Sequence, residues 1–362
     1  MIVRHGTPMS DALSLVAPGR PFRAGLDRIL HAKRGGLVVV GDGPDVLAIC
    51  SGGFLLDAEF TPQRLSELAK MDGAIIVTPD VSRIARANVQ LMPDAATPTS
   101  ETGTRHRTAE RVARSIDVPV LAVSASMSMI TVYRQAGKHA IQPTPWLLGR
   151  TDQALATMQR FRARFDAALG SLSTLEVEDS VSLGDVVAAI QSAEMVLRIA
   201  EEVDGYLVEL GDDGRLVGLQ SAELVDGVAT ALHLVVRDYA DLADSDADLV
   251  VTANRVAALL AELPSDELRH PARVAEVANL PGSFLDAESA MESRGFRLLS
   301  RLPRLSDALI LRIVERFGRL PHLMRASITE LEQVEGVGQM RARQVKEGLA
   351  RLAEASIFER YQ

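Results

Sequence analysis

Hydrophobic positions along the first 149 residues follow two different spacings. The runs DALSLV and RAGLDRIL repeat apolar residues every three or four positions, which predicts two helices separated by a turn at Pro18-Gly19. The continuous apolar runs LVVV, AIIV and VLAV predict buried strands, and MITVYRQAGKHAIQP predicts a hairpin that turns at Gly137-Lys138. Because helices and strands alternate, residues 1–149 are expected to form an α/β domain with a mixed sheet flanked by helices.

Local signals predict where several of these elements begin and end. GDGPDVLAIC is typical of a glycine turn followed by a second strand. TPQRLSEL predicts a helix with Thr61 as its N-cap and Pro62 at its first position. Gly35 and Gly36 are expected to end the second helix.

The rest of the chain is predicted to be helical. Residues 150–288 contain long runs with apolar residues at three- and four-residue spacing, which indicates an all-α linker domain. Residues 289–362 alternate short apolar segments with tight turns, which indicates a small all-α domain. A length of 362 residues also favours several domains over a single core.

Composition restricts the class of protein. Hydrophobic residues make up 47% of the chain and charged residues 24%, as in ordinary globular proteins. The N-terminus lacks the apolar segment of a signal peptide, and no run approaches 18 apolar residues, so we expect a cytoplasmic protein with no membrane partner. The single cysteine, Cys50, cannot form an internal disulfide and is expected to be a buried structural thiol.

Charge is distributed unevenly. The chain carries a net charge of −9, yet residues 291–362 contain 13 Arg and Lys against 9 Asp and Glu. The C-terminal segment therefore has a net charge of +4, and the remainder carries −13. This asymmetry makes the C-terminal domain the part that could bind a polyanion.

The segment GTRHRT, residues 103–108, concentrates donors suited to phosphate. The glycine permits close backbone approach, two threonines add hydroxyls, and arginine side chains bind phosphate oxygens through paired donors. The predicted helix begins here, so its free N–H groups point to the same place. The alternative is a solvated basic helix start whose arginines pair with Glu101 or Glu110.

Asp72 and Gly73 stand directly before the predicted buried strand AIIV. A carboxylate at a strand edge beside a glycine can hold a metal ion or orient a hydroxyl group. An ordinary turn aspartate is the alternative for this fragment.

Two other segments are weaker candidates. VRHGTP, residues 3–8, resembles the motif of histidine phosphatases, but too few residues precede His5 to form the buried strand that this motif requires. The acidic run DYADLADSDAD, residues 238–248, lacks the glycine and glutamate of a calcium loop, so we expect a solvated helix end or loop.

LEQVEGVGQMRARQV near the C-terminus has the pattern of a helix-hairpin-helix motif. The turn at Gly336-Val337-Gly338 precedes a helix, where free N–H groups can bind a DNA phosphate. Three cations on the following helix would add phosphate contacts: Arg341, Arg343 and Lys346. A protein–protein module built from the same turn is the alternative.

Asp72-Gly73-Ala74 together with GTRHRT resembles the paired signature of diadenylate cyclases. The similarity extends to LSLVAPGRPFRAGLDRIL, GGLVVVGDG, FTPQRLSELAKMDGAIIV and VPVLAVS. Combined with the C-terminal hairpin, it resembles one branch of that group, the DNA integrity scanning protein (DisA) family, over essentially the whole chain.

The resemblance implies that two ATP molecules are condensed into cyclic di-AMP and two pyrophosphates, with Mg²⁺ or Mn²⁺ as cofactor. It implies that Asp72 holds the metal, orients the 3′-hydroxyl, or both, while the basic run binds phosphates. The residues that it implies for ATP binding or catalysis are Asp72, Gly73, Leu91, Thr104, Arg105, His106, Arg107, Thr108 and Ser124. The sequence departs from the family pattern after Ser124, where Ala125 stands in a segment expected to carry a charge.

The resemblance also implies partners. It implies a homo-octamer of two tetramers with double-stranded, branched or damaged DNA as a partner. Regulation of cyclase activity by DNA in a DNA-integrity checkpoint is a hypothesis that rests on the order of the domains. With a DNA partner, the expected location is cytoplasmic and nucleoid-associated. The competing hypothesis is a non-catalytic DNA-binding scaffold that binds ATP as a sensor.

Overall fold

A computed structural model describes residues 6–241, 249–282 and 286–359, with side chains up to residue 355 in the last helix. Packing divides the chain into two compact units. The first contains residues 1–155 and 201–221, and the second contains residues 156–200 and 222–362.

The predicted catalytic and C-terminal segments fall in different units. Residues 1–149 belong to the first unit and residues 289–362 to the second. The predicted linker, residues 150–288, contributes to both units. The three-domain division stays a prediction.

An eight-stranded mixed sheet forms the centre of the first unit. Its strands are β1 (Gly36–Val40), β2 (Cys50–Ser51), β3 (Phe54–Glu59), β4 (Ala74–Val77), β5 (Arg83–Leu91), β6 (Val120–Ser124), β7 (Met129–Arg134) and β8 (Gly137–Ala140). Their order is β2-β5-β4-β1-β6-β7-β8, and β3 also pairs with β5. Strands β1 and β4 are parallel, whereas β1 and β6 are antiparallel, so the predicted mixed sheet is confirmed.

Five helices accompany this sheet. They are α1 (Pro8–Ser14), α2 (Pro21–His31), α3 (Pro44–Ala48), α4 (Pro62–Leu68) and α5 (Thr104–Ile116). Successive side chains of a strand point to opposite faces, so Val38 and Val40 pack in one core with residues of α1, α2 and α4. Leu37 and Val39 pack in a second core with residues of α5. The sheet is thus covered on both faces, as predicted.

Helices make up the regular structure described after β8. They are α6 (Thr144–Glu178), α7 (Leu183–Leu210), α8 (Arg215–Val225), α9 (Val228–Tyr239), α10 (Leu249–Glu262), α11 (Pro271–Val277), α12 (Phe296–Ser300), α13 (Asp307–Phe317), α14 (Leu320–Arg325), α15 (Ile328–Glu332) and α16 (Gln339–Glu359). This confirms the predicted all-α linker and small all-α C-terminal region. Among the helices described, none is long and apolar enough to cross a membrane.

Several local predictions are settled by the structure. Thr61 is the N-cap of α4, where its Oγ1 accepts a hydrogen bond from the Arg64 N–H at 3.1 Å. The predicted strand in DVLAIC is wrong, because Pro44 occupies the first helical position and begins α3, which leaves only β2 as strand. Cys50 in β2 is half-buried rather than buried, and burial raises the pKa of its thiol.

The acidic run that begins at the end of α9 is solvated at Asp241, as predicted, but the prediction is wrong for Asp238. Asp238 is fully buried, and its two carboxylate oxygens accept hydrogen bonds from the backbone N–H groups of Phe296 at 2.6 Å and Arg297 at 2.9 Å. Asp238 therefore caps α12, because it accepts hydrogen bonds from the free N–H groups at the start of that helix. Three further aspartates of the run, Asp244, Asp246 and Asp248, lie outside the described residues, as does His5.

Candidate active site

The first turn of α5 opens onto a cleft of about 510 Å³ in the first unit. Six of the predicted ligand-binding residues line it: Asp72, Gly73, Leu91, Thr104, Arg105 and Thr108. Asp72 and Gly73 immediately precede β4, Leu91 ends β5, and the other three belong to α5. Two motifs that are some thirty residues apart in sequence are thus brought to one cleft.

Opposite charges meet at the edge of this cleft. Arg105 Nη2 lies 3.2 Å from Asp72 Oδ1, with the Asp72 side chain 94% exposed and that of Arg105 46% exposed. An ion pair with this much exposure contributes little to stability. A ligand could therefore replace either partner at a low cost in free energy. Arg105 pairs with Asp72, whereas Glu101 and Glu110 pair with Lys138 and Arg114.

Glycines permit the close packing that shapes the cleft. Gly73 has a φ of +106°, and a Cβ there would lie 2.9 Å from the carbonyl carbon of Asn88. Gly53 has a φ of +77°, and its Cβ would lie 2.9 Å from the Asn88 oxygen. Asn88 itself has a φ of +55° in β5. The Asn88 peptide is therefore held between two positions where only glycine fits without strain.

Gly35 makes room for Arg105 rather than ending a helix. A Cβ on Gly35 would lie 2.4 Å from Arg105 Nη1, so the guanidinium packs directly against this glycine. Helix α2 ends at His31, ahead of Lys33, which has a φ of +52°.

Sequence reasoning missed part of the cleft wall. The missed residues are Leu37, Ser51, Gly52, Gly53, Asn88, Val89 and Gln90. The adjacent glycines in CSGGF are a signal that could have indicated close backbone packing near a ligand. The polar residues of β5 carry no such signal, because polar side chains are common on strands with one open face.

The Arg-His-Arg run does not act as one surface. Successive helical residues are separated by about 100°, so Arg105, His106 and Arg107 point in three directions. Arg105 lines the cleft, whereas His106 and Arg107 are not among its described lining residues. The Arg107 side chain is exposed.

Ser124 also lies apart from the cleft lining. Its Oγ is 3.3 Å from Ser126 Oγ and accepts a hydrogen bond from the Met127 N–H at 3.3 Å. These contacts stabilise the turn between β6 and β7 and do not support a phosphate role for Ser124.

His106 belongs to a chain of polar contacts on another side of α5. Its Nδ1 lies 2.7 Å from the Tyr133 hydroxyl, which donates to Glu101 Oε1 at 3.0 Å. Lys138 Nζ donates to the same oxygen at 2.8 Å. The hydrogen bond from Lys138 lowers the pKa of Glu101, and burial raises the pKa of Tyr133 above its ordinary value.

Glu110 fixes the loop that leads into α5. Its carboxylate accepts hydrogen bonds from Thr99 Oγ1 at 2.6 Å and from the Ser100 N–H at 2.8 Å, and it pairs with Arg114 at 2.7 Å. Burial acts to raise the pKa of Glu110, but these hydrogen bonds and Arg114 outweigh it and lower the pKa. The start of α5 is therefore held by a completed set of contacts.

Two family models match successive segments of the chain. Residues 23–138 match the model described as DisA bacterial checkpoint controller nucleotide-binding, and residues 141–284 match the DisA bacterial checkpoint controller linker region. The chain belongs to the DisA family.

Relatives in the DisA family match nearly from end to end. The DNA integrity scanning protein DisA of Streptomyces coelicolor is 48% identical over 98% of this chain and 94% of its own length. That of Kineococcus radiotolerans is 48% identical over 98% of this chain and 97% of its own. A solved structure of DacA from Staphylococcus aureus covers 37% of the chain at 20% identity with a TM-score of 0.28, too low to support an argument.

The segment that matches the DisA nucleotide-binding model contains the whole cleft lining together with Tyr133 and Lys138. Residues 285–362 lie beyond both matched segments. Neither family model covers the turn at Gly336, so its role in DNA binding stays a prediction.

That turn lies between α15 and α16 in the second unit. Gly336 has a φ of +86°, a backbone conformation that favours glycine, and α16 begins one residue after Gly338. A Cβ on Gly338 would meet nothing within 4 Å, so the backbone is open there. Val337 is buried and anchors the turn in the core of short helices.

The three predicted cations of α16 have different surroundings. Arg341 is exposed, and its Nη1 donates to the Gly336 carbonyl at 2.8 Å, which ties the turn to the helix. Arg343 is exposed. Lys346 donates to the carbonyls of Met324 at 2.8 Å and Ala326 at 2.7 Å, so its contacts satisfy the end of α14 and do not support a DNA-binding role.

Proposed function

We propose that this DisA-family chain is a diadenylate cyclase that converts two ATP molecules into cyclic di-AMP and two pyrophosphates. The observation that carries the proposal is the cleft at the start of α5, where the Asp72 carboxylate faces Arg105 and two threonines. A helix N-terminus with cationic and hydroxyl donors suits a triphosphate, and a nearby carboxylate suits a hydroxyl nucleophile.

The reaction consists of two equivalent displacements. The 3′-hydroxyl oxygen of one nucleotide forms a bond to the α-phosphorus of the other. The bond from that phosphorus to the β-phosphate bridging oxygen breaks, and pyrophosphate leaves with the electron pair. The hydroxyl proton passes to a base or to water. Such transfers depend on positioning and charge stabilisation more than on covalent assistance from the protein.

We assign roles from position. Asp72 orients the attacking hydroxyl, and Leu91 contacts the base. Arg105 binds the phosphates together with the hydroxyls of Thr104 and Thr108 and the free N–H groups of the first turn of α5. Arg107 is exposed and directly precedes Thr108, which lines the cleft. We assign Arg107 to phosphates of a nucleotide bound by a second copy of the chain.

The chain fits a metal ion delivered with its nucleotide. In the described part of the chain, no three His, Cys, Asp or Glu side chains form a metal cluster, and Asp72 offers one open carboxylate. Mg²⁺ is commonly bound by one or two carboxylates plus substrate phosphates. When bound, Mg²⁺ or Mn²⁺ would neutralise phosphate charge, with Asp72 as its protein ligand.

The proposed active centre requires two copies of the chain. Each cleft takes one nucleotide, and the 94% exposure of Asp72 leaves its carboxylate in water until a second surface covers it. Exclusion of water strengthens the electrostatic contacts that stabilise the transition state. We propose that residues 150–288 assemble the catalytic segment, residues 1–149, into a homo-octamer.

We further propose that residues 289–362 bind double-stranded or branched DNA through the turn at Gly336 and the start of α16. Contacts from N–H groups and arginines to phosphate do not depend on sequence, so binding should follow DNA shape and weaken with salt. In this proposal DNA regulates the cyclase in a DNA-integrity checkpoint. The cytoplasmic, nucleoid-associated location remains a prediction.

The test is incubation of the full chain with ATP and Mg²⁺ or Mn²⁺, followed by chromatography. The proposal expects cyclic di-AMP, with a rate that changes when saturating branched DNA is added. Bound ATP that is recovered unchanged would favour the ATP-sensing scaffold instead. A rate that is indifferent to DNA would remove the regulatory part and leave the cyclase.

A further inference from the structure

Four side chains from different places in the first unit form a hydrogen-bonded row, Lys138–Glu101–Tyr133–His106. Lys138 is on β8, Tyr133 on β7, Glu101 in the loop before α5, and His106 in the first turn of α5. Three contacts of 2.8, 3.0 and 2.7 Å join them in that order. Tyr133 is 1% exposed, so the middle of this row of side chains is shielded from water.

The direction of each hydrogen bond follows from the charges. The contact with Lys138 lowers the pKa of Glu101, so Glu101 is an ionised carboxylate that can only accept. Burial, reinforced by Glu101, raises the pKa of Tyr133, so the tyrosine stays protonated. Its hydroxyl donates a hydrogen bond to Glu101. A hydroxyl that has donated its single hydrogen can only accept from its other neighbour.

His106 must therefore carry its proton on Nδ1, where it faces the tyrosine oxygen. In the neutral ring, the opposite nitrogen, Nε2, carries no proton and can accept a hydrogen bond or bind a ligand. Cδ2, the ring carbon bonded to Nε2, lies 3.8 Å from the position that a Cβ on Gly103 would take. Gly103 is the N-cap of α5, the helix terminus where anions are stabilised.

We propose that Tyr133 is a positioning residue for the cyclase reaction: held by Glu101 and Lys138, it fixes His106 as the Nδ1–H tautomer and so presents Nε2 at the N-terminus of α5. This inference rests on the proposed function for its catalytic consequence. The tautomer itself follows from the contacts alone.

A packing role is the competing explanation. The two rings lie with centroids 6.1 Å apart at 65°, an edge-to-face arrangement that is favourable without a hydrogen bond. Tyr133→Phe retains this packing and removes only the hydroxyl. Tyr206→Phe is the matched control, because Tyr206 also donates to a carboxylate, that of Glu202 at 2.6 Å, on another helix.

The first measurement does not require turnover. Solid-state ¹⁵N NMR of the full chain labelled at histidine, with His106→Gln to identify the signal, reports which ring nitrogen is protonated. The wild type and Tyr206→Phe should show His106 protonated at Nδ1. Tyr133→Phe should shift His106 toward the Nε2–H tautomer, which free imidazole favours. An unchanged His106 signal in Tyr133→Phe would overturn the proposal.

The second measurement is kinetic. Tyr133→Phe should lower kcat about tenfold while KM for ATP changes by less than about threefold, as expected for partners that orient another group. Combined with His106→Gln, it should add no further loss, because both changes act through one ring. Fully additive losses would contradict the proposal.

A second variant guards against misfolding. Glu101→Leu removes the acceptor of the Tyr133 hydroxyl and leaves Tyr133 in place, so the hydroxyl can donate to His106 Nδ1 and the tautomer should shift in the same direction. If the wild type makes no cyclic di-AMP while Tyr133→Phe still changes the tautomer, the proposed function fails and the positioning role stands.

Discussion

Two ion pairs in this chain have nearly opposite surroundings. Asp72 and Arg105 meet at 3.2 Å at the edge of the cleft, with side chains 94% and 46% exposed. Glu176 and Arg297 meet at 2.5 Å in the second unit, with side chains 0% and 7% exposed. Both pairs join residues that are distant in sequence, and only the first is open to a ligand.

The buried pair has a completed set of partners. Arg297 also donates to Ser173 Oγ at 3.0 Å, and Tyr239 donates to Glu176 at 2.7 Å. Buried charges with such partners hold a fold in one arrangement, although they need not stabilise it more than apolar residues would. The exposed pair contributes little to the fold and retains unused hydrogen-bonding capacity. The number of partners, more than the charge, separates the structural pair from the candidate functional pair.

The largest expected effect comes from the exposed pair. Asp72→Asn should lower the rate of cyclic di-AMP formation by about 10²–10³-fold, because it removes the charge that orients the nucleophile. The free energy of unfolding should change by less than about 0.5 kcal/mol, since the side chain is almost fully exposed. Chromatography of products and a denaturant titration measure the two quantities.

The control for this change is Asp45→Asn, at an exposed aspartate in the first turn of α3. It should leave the rate unchanged. Retained activity in Asp72→Asn would contradict the role of this carboxylate.

The buried pair should respond in the opposite way. Glu176→Gln leaves Arg297 charged and without its carboxylate, which should cost about 3 kcal/mol of unfolding free energy. Calorimetry measures the loss, and hydrogen exchange should show it at α12. Because Glu176 lies in the second unit, product formation at low temperature should change far less than in Asp72→Asn. An unchanged free energy of unfolding in Glu176→Gln would show that the pair of Glu176 and Arg297 is not needed for stability.

Stability of the second unit should also depend on pH. Burial, assisted by the charge of Glu176, raises the pKa of Asp238 to about 7, above the 3.8 of an exposed aspartate. A group with a raised folded pKa stabilises the fold at low pH and loses that contribution as pH rises through the folded value. Stability should therefore fall between pH 5 and pH 8, by about 1 kcal/mol or more.

Calorimetric unfolding midpoints at pH 5 and pH 8 test this dependence on Asp238. In Asp238→Asn the difference should shrink, since the titrating group is gone. An equal difference in both proteins would assign the pH dependence to other groups.

The smallest effects should separate two cations of α16. Arg343→Ala should reduce the slope of log affinity for DNA against log salt concentration by about 1, as for the loss of one phosphate contact. Lys346→Met should leave that slope unchanged and lower the free energy of unfolding by about 1–3 kcal/mol, because two carbonyls lose their donor. A reduced slope in Lys346→Met would restore this lysine to the proposed DNA surface.

The sequence predicted the elements whose signals are local. Thr61, Pro62 and the apolar run Ala74–Val77 mark their helix and strand directly, and the structure agrees. Strand β3 was not predicted. Five of its six residues are exposed, including the apolar Phe54, Leu55 and Leu56, so its apolar side chains do not mark a buried face. Helix α3 was taken for a strand because its apolar run is too short to show a period.

The candidate site was predictable only where its residues belong to local sequence motifs. Asp72 and Arg105 belong to short motifs, so the residues themselves indicate the chemistry. The left-handed backbone of Asn88 and the contact between Tyr133 and Glu101 depend on strand register and loop placement, which no local pattern specifies. Asp238 was misassigned because the partners that bury it, Phe296 and Arg297, lie more than fifty residues away.

The most direct test of the account is quantification of both products in one reaction by ³¹P NMR. The full chain is incubated with ATP and Mg²⁺ or Mn²⁺ in the absence of DNA. The account predicts cyclic di-AMP and pyrophosphate in a molar ratio of one to two, and loss of both in Asp72→Asn. ATP that remains unchanged, or conversion to ADP or AMP without the cyclic dinucleotide, would contradict it.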